Sequence, residues 1–158
     1  MGYVEQNLAP DEQLVTKANL HWIMFLGPIV FVVIGALLVL YSSINPDSPV
    51  SGLPYLSLLV IFLGLLAEIQ VAVVYRTTEF AVTTKRIIAK SGWLHRKSSE
   101  ILLGKVESIN VDQSFLGSLL GFGTLMIIGT GGTKEFFPNI ADAIEFRNSI
   151  NAQVARAR

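Results

Sequence analysis

Two long apolar runs constrain this chain more than any other feature. The first, WIMFLGPIVFVVIGALLVLY, covers residues 22–41 without a charge. The second, LPYLSLLVIFLGLLAEIQVAVVY, covers 53–75 and is interrupted only by Glu68 and Gln70. A helix rises about 1.5 Å per residue, so each run is long enough for a hydrocarbon core roughly 30 Å thick. Trp22, Tyr41, Tyr55 and Tyr75 mark the ends, where aromatic side chains suit a membrane–water interface. A soluble core built around two such helices would need a larger domain than 158 residues provide. The segment before Trp22 is too long and too acidic for the basic start of a signal peptide, so the first run is expected to stay as an anchor.

Charge is sparse but unevenly placed. Only 15% of the chain is charged, with twelve basic and twelve acidic residues. No Lys or Arg falls between Trp22 and Tyr75, whereas Lys17 precedes the first run and Arg76, Lys85, Arg86 and Lys90 follow the second. Positive residues remain on the cytoplasmic side, so the loop SSINPDSPVSG should face outward and both termini inward, across an inner membrane. Glu68 is the one acid at membrane depth, where a charge is costly unless paired or near the interface. It and Gln70 are candidate intramembrane polar residues, for a contact with a neighbouring helix or subunit, for placement at the interface, or for transport or catalysis.

Beyond Arg76 the pattern shortens. TEFAVT, RIIAKS, KSSEILL, ESINVDQ, TLMIIGT and TKEFFP are strand-length and rich in β-branched or aromatic residues, with Ser91-Gly92 and Gly131-Gly132 as turns. In ESINVD, Ile109 and Val111 share one face and Ser108, Asn110 and Asp112 the other. TLMIIG is apolar on both faces, which predicts a central or covered strand. The tail changes period: Ala143, Phe146, Ile150 and Val154 recur at helical spacing, with Asn139 as the expected N-cap and Asp142 in the first turn. The predicted organisation is a cytoplasmic segment 1–21, two membrane helices within 22–75, and a mainly β cytoplasmic domain over 76–158 closed by a helix.

The motifs VTTKRIIAKSG, EILLGKVESINVDQSFLGSLLGFGT and GTGGTKEFFPNIADAIEFR, in that order, resemble the bacterial pleckstrin-homology-like (PH-like) domain of membrane-anchored proteins. The preceding helix pair, opened by LHWIMFLGPI, is similar to the membrane part of such proteins. The resemblance implies a seven-stranded, two-sheet sandwich or partly open barrel capped by a C-terminal helix. Six strands are visible in the sequence, and EQLVTKANL, residues 12–20, is a candidate for the seventh. The resemblance brings no catalytic residue set.

Chemistry is correspondingly scarce. IIGTGGTKEFF looks at first like a phosphate loop, but Thr133 separates Gly132 from Lys134 and a strand follows instead of a helix, so the glycines are read as a turn. There is no cysteine, His21 and His95 lie far apart, and no nucleophile elbow occurs. No catalytic, metal or cofactor site is expected. Nor is a nucleic-acid partner expected, and no small-molecule substrate is identified. Two surfaces remain as candidates. Arg76, Lys85, Arg86, Lys90, Arg96 and Lys97 form a basic set that could meet anionic headgroups. Phe115, Leu116, Leu119, Leu120 and Phe122 either fill one mouth of the sandwich or form an apolar patch for a protein partner, another copy or the bilayer surface. The expected role is a non-catalytic membrane-anchored adaptor or assembly subunit, the alternatives being an anionic-lipid sensor and an accessory component of a transport system.

Overall fold

The computed structural model describes residues 3–45, 52–92 and 97–157. The chain divides into two compact units, one formed by residues up to His21 together with Val74 onward, the other by Trp22–Val73. The N-terminal segment is therefore part of the β domain, into which a helical hairpin is inserted.

Within the hairpin unit, a 3-10 turn at Trp22–Phe25 leads into α2 (Leu26–Ile44), and α3 begins at Leu53 and runs to Thr77. Both are long and apolar enough to cross a membrane. Only Gly35 is buried on α2, and only Ser57 and Gly64 on α3. Most of the leucines, isoleucines and valines are exposed, the reverse of a soluble core helix. The helices meet where side chains are smallest. A Cβ on Gly35 would lie 2.5 Å from Ile61 Cγ1, and one on Gly64 would lie 2.8 Å from Val32 Cγ2. Small residues permit such close backbone approach between membrane helices.

The other unit is a sandwich of two antiparallel sheets. One contains β1 (Leu14–Ala18), β2 (Glu79–Thr83), β3 (Arg86–Ser91) and β4 (Lys97–Leu102), in that order. The second contains β5 (Val106–Asp112), β6 (Phe122–Gly129) and β7 (Lys134–Ala141), with β6 central. All six anticipated strands are present, and the segment 12–20 supplies the seventh. Its contribution is larger than an edge strand. After Ala18 pairs with Phe80, the chain crosses to the second sheet: Leu20 bridges Ile140, Ala141 N–H donates to Asn19 O at 2.9 Å, and His21 N–H donates to Asn139 O at 2.7 Å. One continuous extended segment thus splices the two sheets along a shared edge.

Between the sheets, Phe80 meets Phe137 edge-on at 5.1 Å. The far face of the four-stranded sheet is also covered, because a short helix α1 (Tyr3–Gln6) lays Val4 against Ala81 and Ile88, with Leu8 and Leu14 beside it. Burial on both faces explains why Phe80–Thr83 is a continuous buried run rather than an alternating one. Across the sandwich, α5 (Ala143–Arg156) buries Ala143, Phe146, Ile150 and Val154, the stripe expected from helical spacing.

The start of α5 differs from expectation. Asn139 is not its N-cap: β7 continues through Pro138 and Asn139, and Asp142 occupies the cap position. Gly123 pairs with Ile140 and Leu125 with Phe137, so Pro138 and Asn139 together oppose Thr124 as a bulge. Asn139 takes the left-handed backbone this requires, with φ of 56°. At the other end of β7, Gly131 and Gly132 have φ of 100° and 78°, which makes the glycine-rich stretch a hairpin turn.

Candidate functional site

Two members of the basic set, Arg86 and Lys85, are paired with carboxylates. Arg86 turns inward, towards a carboxylate supplied by the N-terminal segment. Its Nε and Nη2 donate to Glu12 at 2.9 and 2.8 Å, Nη1 donates to Glu100 at 2.7 Å, and Nη2 also reaches Asn7 O at 2.9 Å. Glu12 is buried and further receives the Thr83 hydroxyl at 2.6 Å and the Ala9 N–H at 3.0 Å. Burial, the largest influence on its carboxyl, opposes ionisation. The hydrogen bonds from Arg86, Ala9 and Thr83 outweigh it and hold the pKa down at about 2. Arg86 is thus a structural cation, with its donors committed within the domain.

Lys85 pairs with Asp11, and Lys90 stands opposite Glu79 in the β2–β3 register. Arg76 is exposed in the last turn of α3. Arg96 lies outside the described residues, and Lys97 is placed by its backbone at the first position of β4, opposite Ser91. The sequence interval around these cations contains few acids. Asp11 and Glu12 arrive from more than seventy residues earlier, across the helical hairpin, and no local pattern announces them.

The apolar segment behaves oppositely. It forms a short helix, α4 (Phe115–Leu120), capped at both ends: Ser114 Oγ accepts from Gly117 N–H at 3.1 Å, and Gly121 closes the helix with φ of 78°. Its side chains do not fill the mouth of the sandwich. Phe115 is 84% exposed, Leu119 72% and Leu116 57%, while Gly117 faces inward. Leu120 is 39% exposed. Phe122, the first residue of β6, is half-buried and stacks on His21 with ring centroids 5.0 Å apart.

In the hairpin, one carboxylate oxygen of Glu68 is buried without a hydrogen-bond partner among the described residues. Gln70 is exposed on the helix surface.

A further feature was not anticipated from sequence. β5 is an edge strand, and beside it runs a cleft lined by Val106, Glu107, Ser108 and Ile109 from the strand and Asn151, Val154 and Ala155 from α5. An edge strand presents backbone donors and acceptors to an incoming extended chain. Nothing in the local alternation of ESINVD distinguishes an edge from an interior strand, which is why only the assembled sheet reveals it.

Two sheets, a splicing N-terminal strand and a helix across one opening define a PH-like sandwich, carried here with two helices able to cross a membrane. Residues 21–154 match the family described as Bacterial PH domain, and the chain belongs to that family. No curated protein and no solved structure gives a match. PH-like domains are generally non-catalytic interaction modules, although the fold alone does not select the partner.

Proposed function

We propose that this protein is a non-catalytic membrane-anchored adaptor or assembly subunit. Its PH-like domain stands at the cytoplasmic face of the inner membrane and takes a protein segment in the β5–α5 cleft. The observation that carries this reading is the edge strand β5 bordered by α5. An extended peptide adding to such an edge gains main-chain hydrogen bonds, while the neighbouring helix supplies side-chain selectivity. Headgroup recognition by the basic set is the weaker reading, because Arg86 and Lys85 are engaged with Glu12, Glu100 and Asp11.

The test is site-specific photo-crosslinking of the full chain in native membranes. A photoreactive residue at Ser108 or Ala155 should give a discrete protein adduct that the same residue at Lys134, two strands across the sheet from the cleft, does not. The adduct should disappear when Asn151→Glu puts a charge into the cleft, at a position exposed on α5. Equal labelling at all three positions, or none at Ser108 and Ala155, overturns the cleft as a docking site.

A further inference from the structure

α4 is a well-formed helix that displays its largest apolar side chains to the outside, and its place in the domain identifies what covers them. Residues 114–122, SFLGSLLGF, contain no charge. Ser114 and Gly121 cap the helix firmly, so the exposure of Phe115, Leu116 and Leu119 belongs to the fold and does not come from fraying.

The end of the domain that carries α4 is also the end from which the chain leaves for the membrane. Phe122, two residues past α4, stacks on His21, the last residue before the first apolar helix. Ser114, at the other end of α4, lines a cleft with Phe122 and Asn139, and Asn139 O accepts the His21 N–H. The second crossing returns to the same end, since β1 and β2 are antiparallel with Ala18 opposite Phe80, and only Thr78 separates α3 from β2. Both connections are therefore too short to carry this end of the domain far from the bilayer surface.

We infer that α4 is a membrane-surface anchor whose Phe115, Leu116 and Leu119 side chains sit in the headgroup–acyl boundary of the leaflet beside the domain. Phe and Leu side chains presented on one helix suit that boundary, and an exposed patch of this kind on a tethered domain marks an interaction site. With the two spans, α4 gives the domain a further attachment, which limits its rotation about the connections and fixes which edge faces the cytoplasm. The inference rests on the membrane reading of α2 and α3, so the experiment tests the two separately.

The chain has no cysteine, so single-cysteine labels need no background removal. The full chain is reconstituted in phosphatidylethanolamine–phosphatidylglycerol vesicles with an environment-sensitive fluorophore at Leu119→Cys, Phe62→Cys or Lys134→Cys. Phe62 is on the outer surface of α3, and Lys134 begins β7 beside the hairpin turn, opposite Ile128 and so roughly 20 Å along β6 from Phe122. Nitroxide-bearing lipids should quench Phe62→Cys and Leu119→Cys several-fold more than Lys134→Cys. Quenching at Phe62 with none at Leu119 overturns the α4 anchor alone. No quenching at Phe62 overturns the membrane reading beneath it. Equal quenching at Leu119 and Lys134 also overturns the anchor, as does disulfide capture between copies at unlabelled Leu119→Cys without lipid quenching, which would assign α4 to self-association.

Discussion

At the scale of single residues, Glu12 is where burial and charge are most finely opposed. Its carboxyl pKa stands at about 2 against an ordinary 4.5. A depressed carboxyl stabilises the fold in full above its unfolded value, and that stabilisation is lost as pH falls through the folded value. The difference is worth roughly 3 kcal/mol. Thermal unfolding of the detergent-solubilised chain should therefore weaken between pH 4.5 and about 2 by that amount. Glu12→Gln should flatten this part of the profile. At neutral pH it should cost about 3 kcal/mol, at the low end for a broken buried pair because Arg86 keeps Glu100. An equally steep acid transition in Glu12→Gln would refute the assignment. Glu68 poses the opposite problem, a carboxylate oxygen buried without a partner among the described residues. Membrane-embedded polar groups are commonly answered by another helix, at roughly 1 kcal/mol per contact. Glu68→Leu should leave insertion intact and lower the yield of crosslinked complex from native membranes. An unchanged yield would remove Glu68 from any subunit interface.

At the scale of elements, α2 and α3 are held together by what Gly35 and Gly64 lack. Any side chain at Gly64 must displace Val32, whose backbone N would lie 3.1 Å from the new Cβ. Gly64→Ile is expected to lower hairpin stability by about 2 kcal/mol, read as a reduced unfolding midpoint in detergent. Gly27→Ile, with open space around it, should leave the midpoint almost unchanged. No comparable signal in the sequence marks these glycines, because small residues are scattered through both apolar runs. The strands were far more legible: alternation and β-branched composition locate β2 to β7, and helical spacing locates the buried face of α5. β1 was visible only as a candidate, since its partner β2 lies beyond the whole helical hairpin. α1 left no pattern, being held by Val4 and Leu8 rather than by a periodic stripe. Asn139 misled for a physical reason. Pro-Asn is a plausible helix start in isolation, but here a bulge opposite Thr124 absorbs both residues and keeps the strand going.

At the scale of the whole molecule, the distribution of the twelve basic residues argues an orientation. None lies between Trp22 and Tyr75, and Lys17, Lys85, Arg86 and Lys90 all belong to the unit that β1 and β2 knit together. Because β1 precedes the hairpin and β2 follows it, the antiparallel pairing from Leu14–Thr83 to Ala18–Phe80 requires both flanks of the hairpin to share a compartment. The sheet itself thus requires any membrane crossings of the hairpin to be even in number, and the excess of Lys and Arg makes the cytoplasm the expected compartment for the domain. A cysteine replacing Ser48, in the loop outside the described residues, should react with an impermeant maleimide in intact cells. A cysteine replacing Ser149, on α5, should react only after the membrane is opened. The reverse pattern would invert the topology while leaving the sheet intact. Labelling of both sites in intact cells would exclude two crossings with a cytoplasmic domain, and with them the role proposed for β5 and α5 at the inner surface.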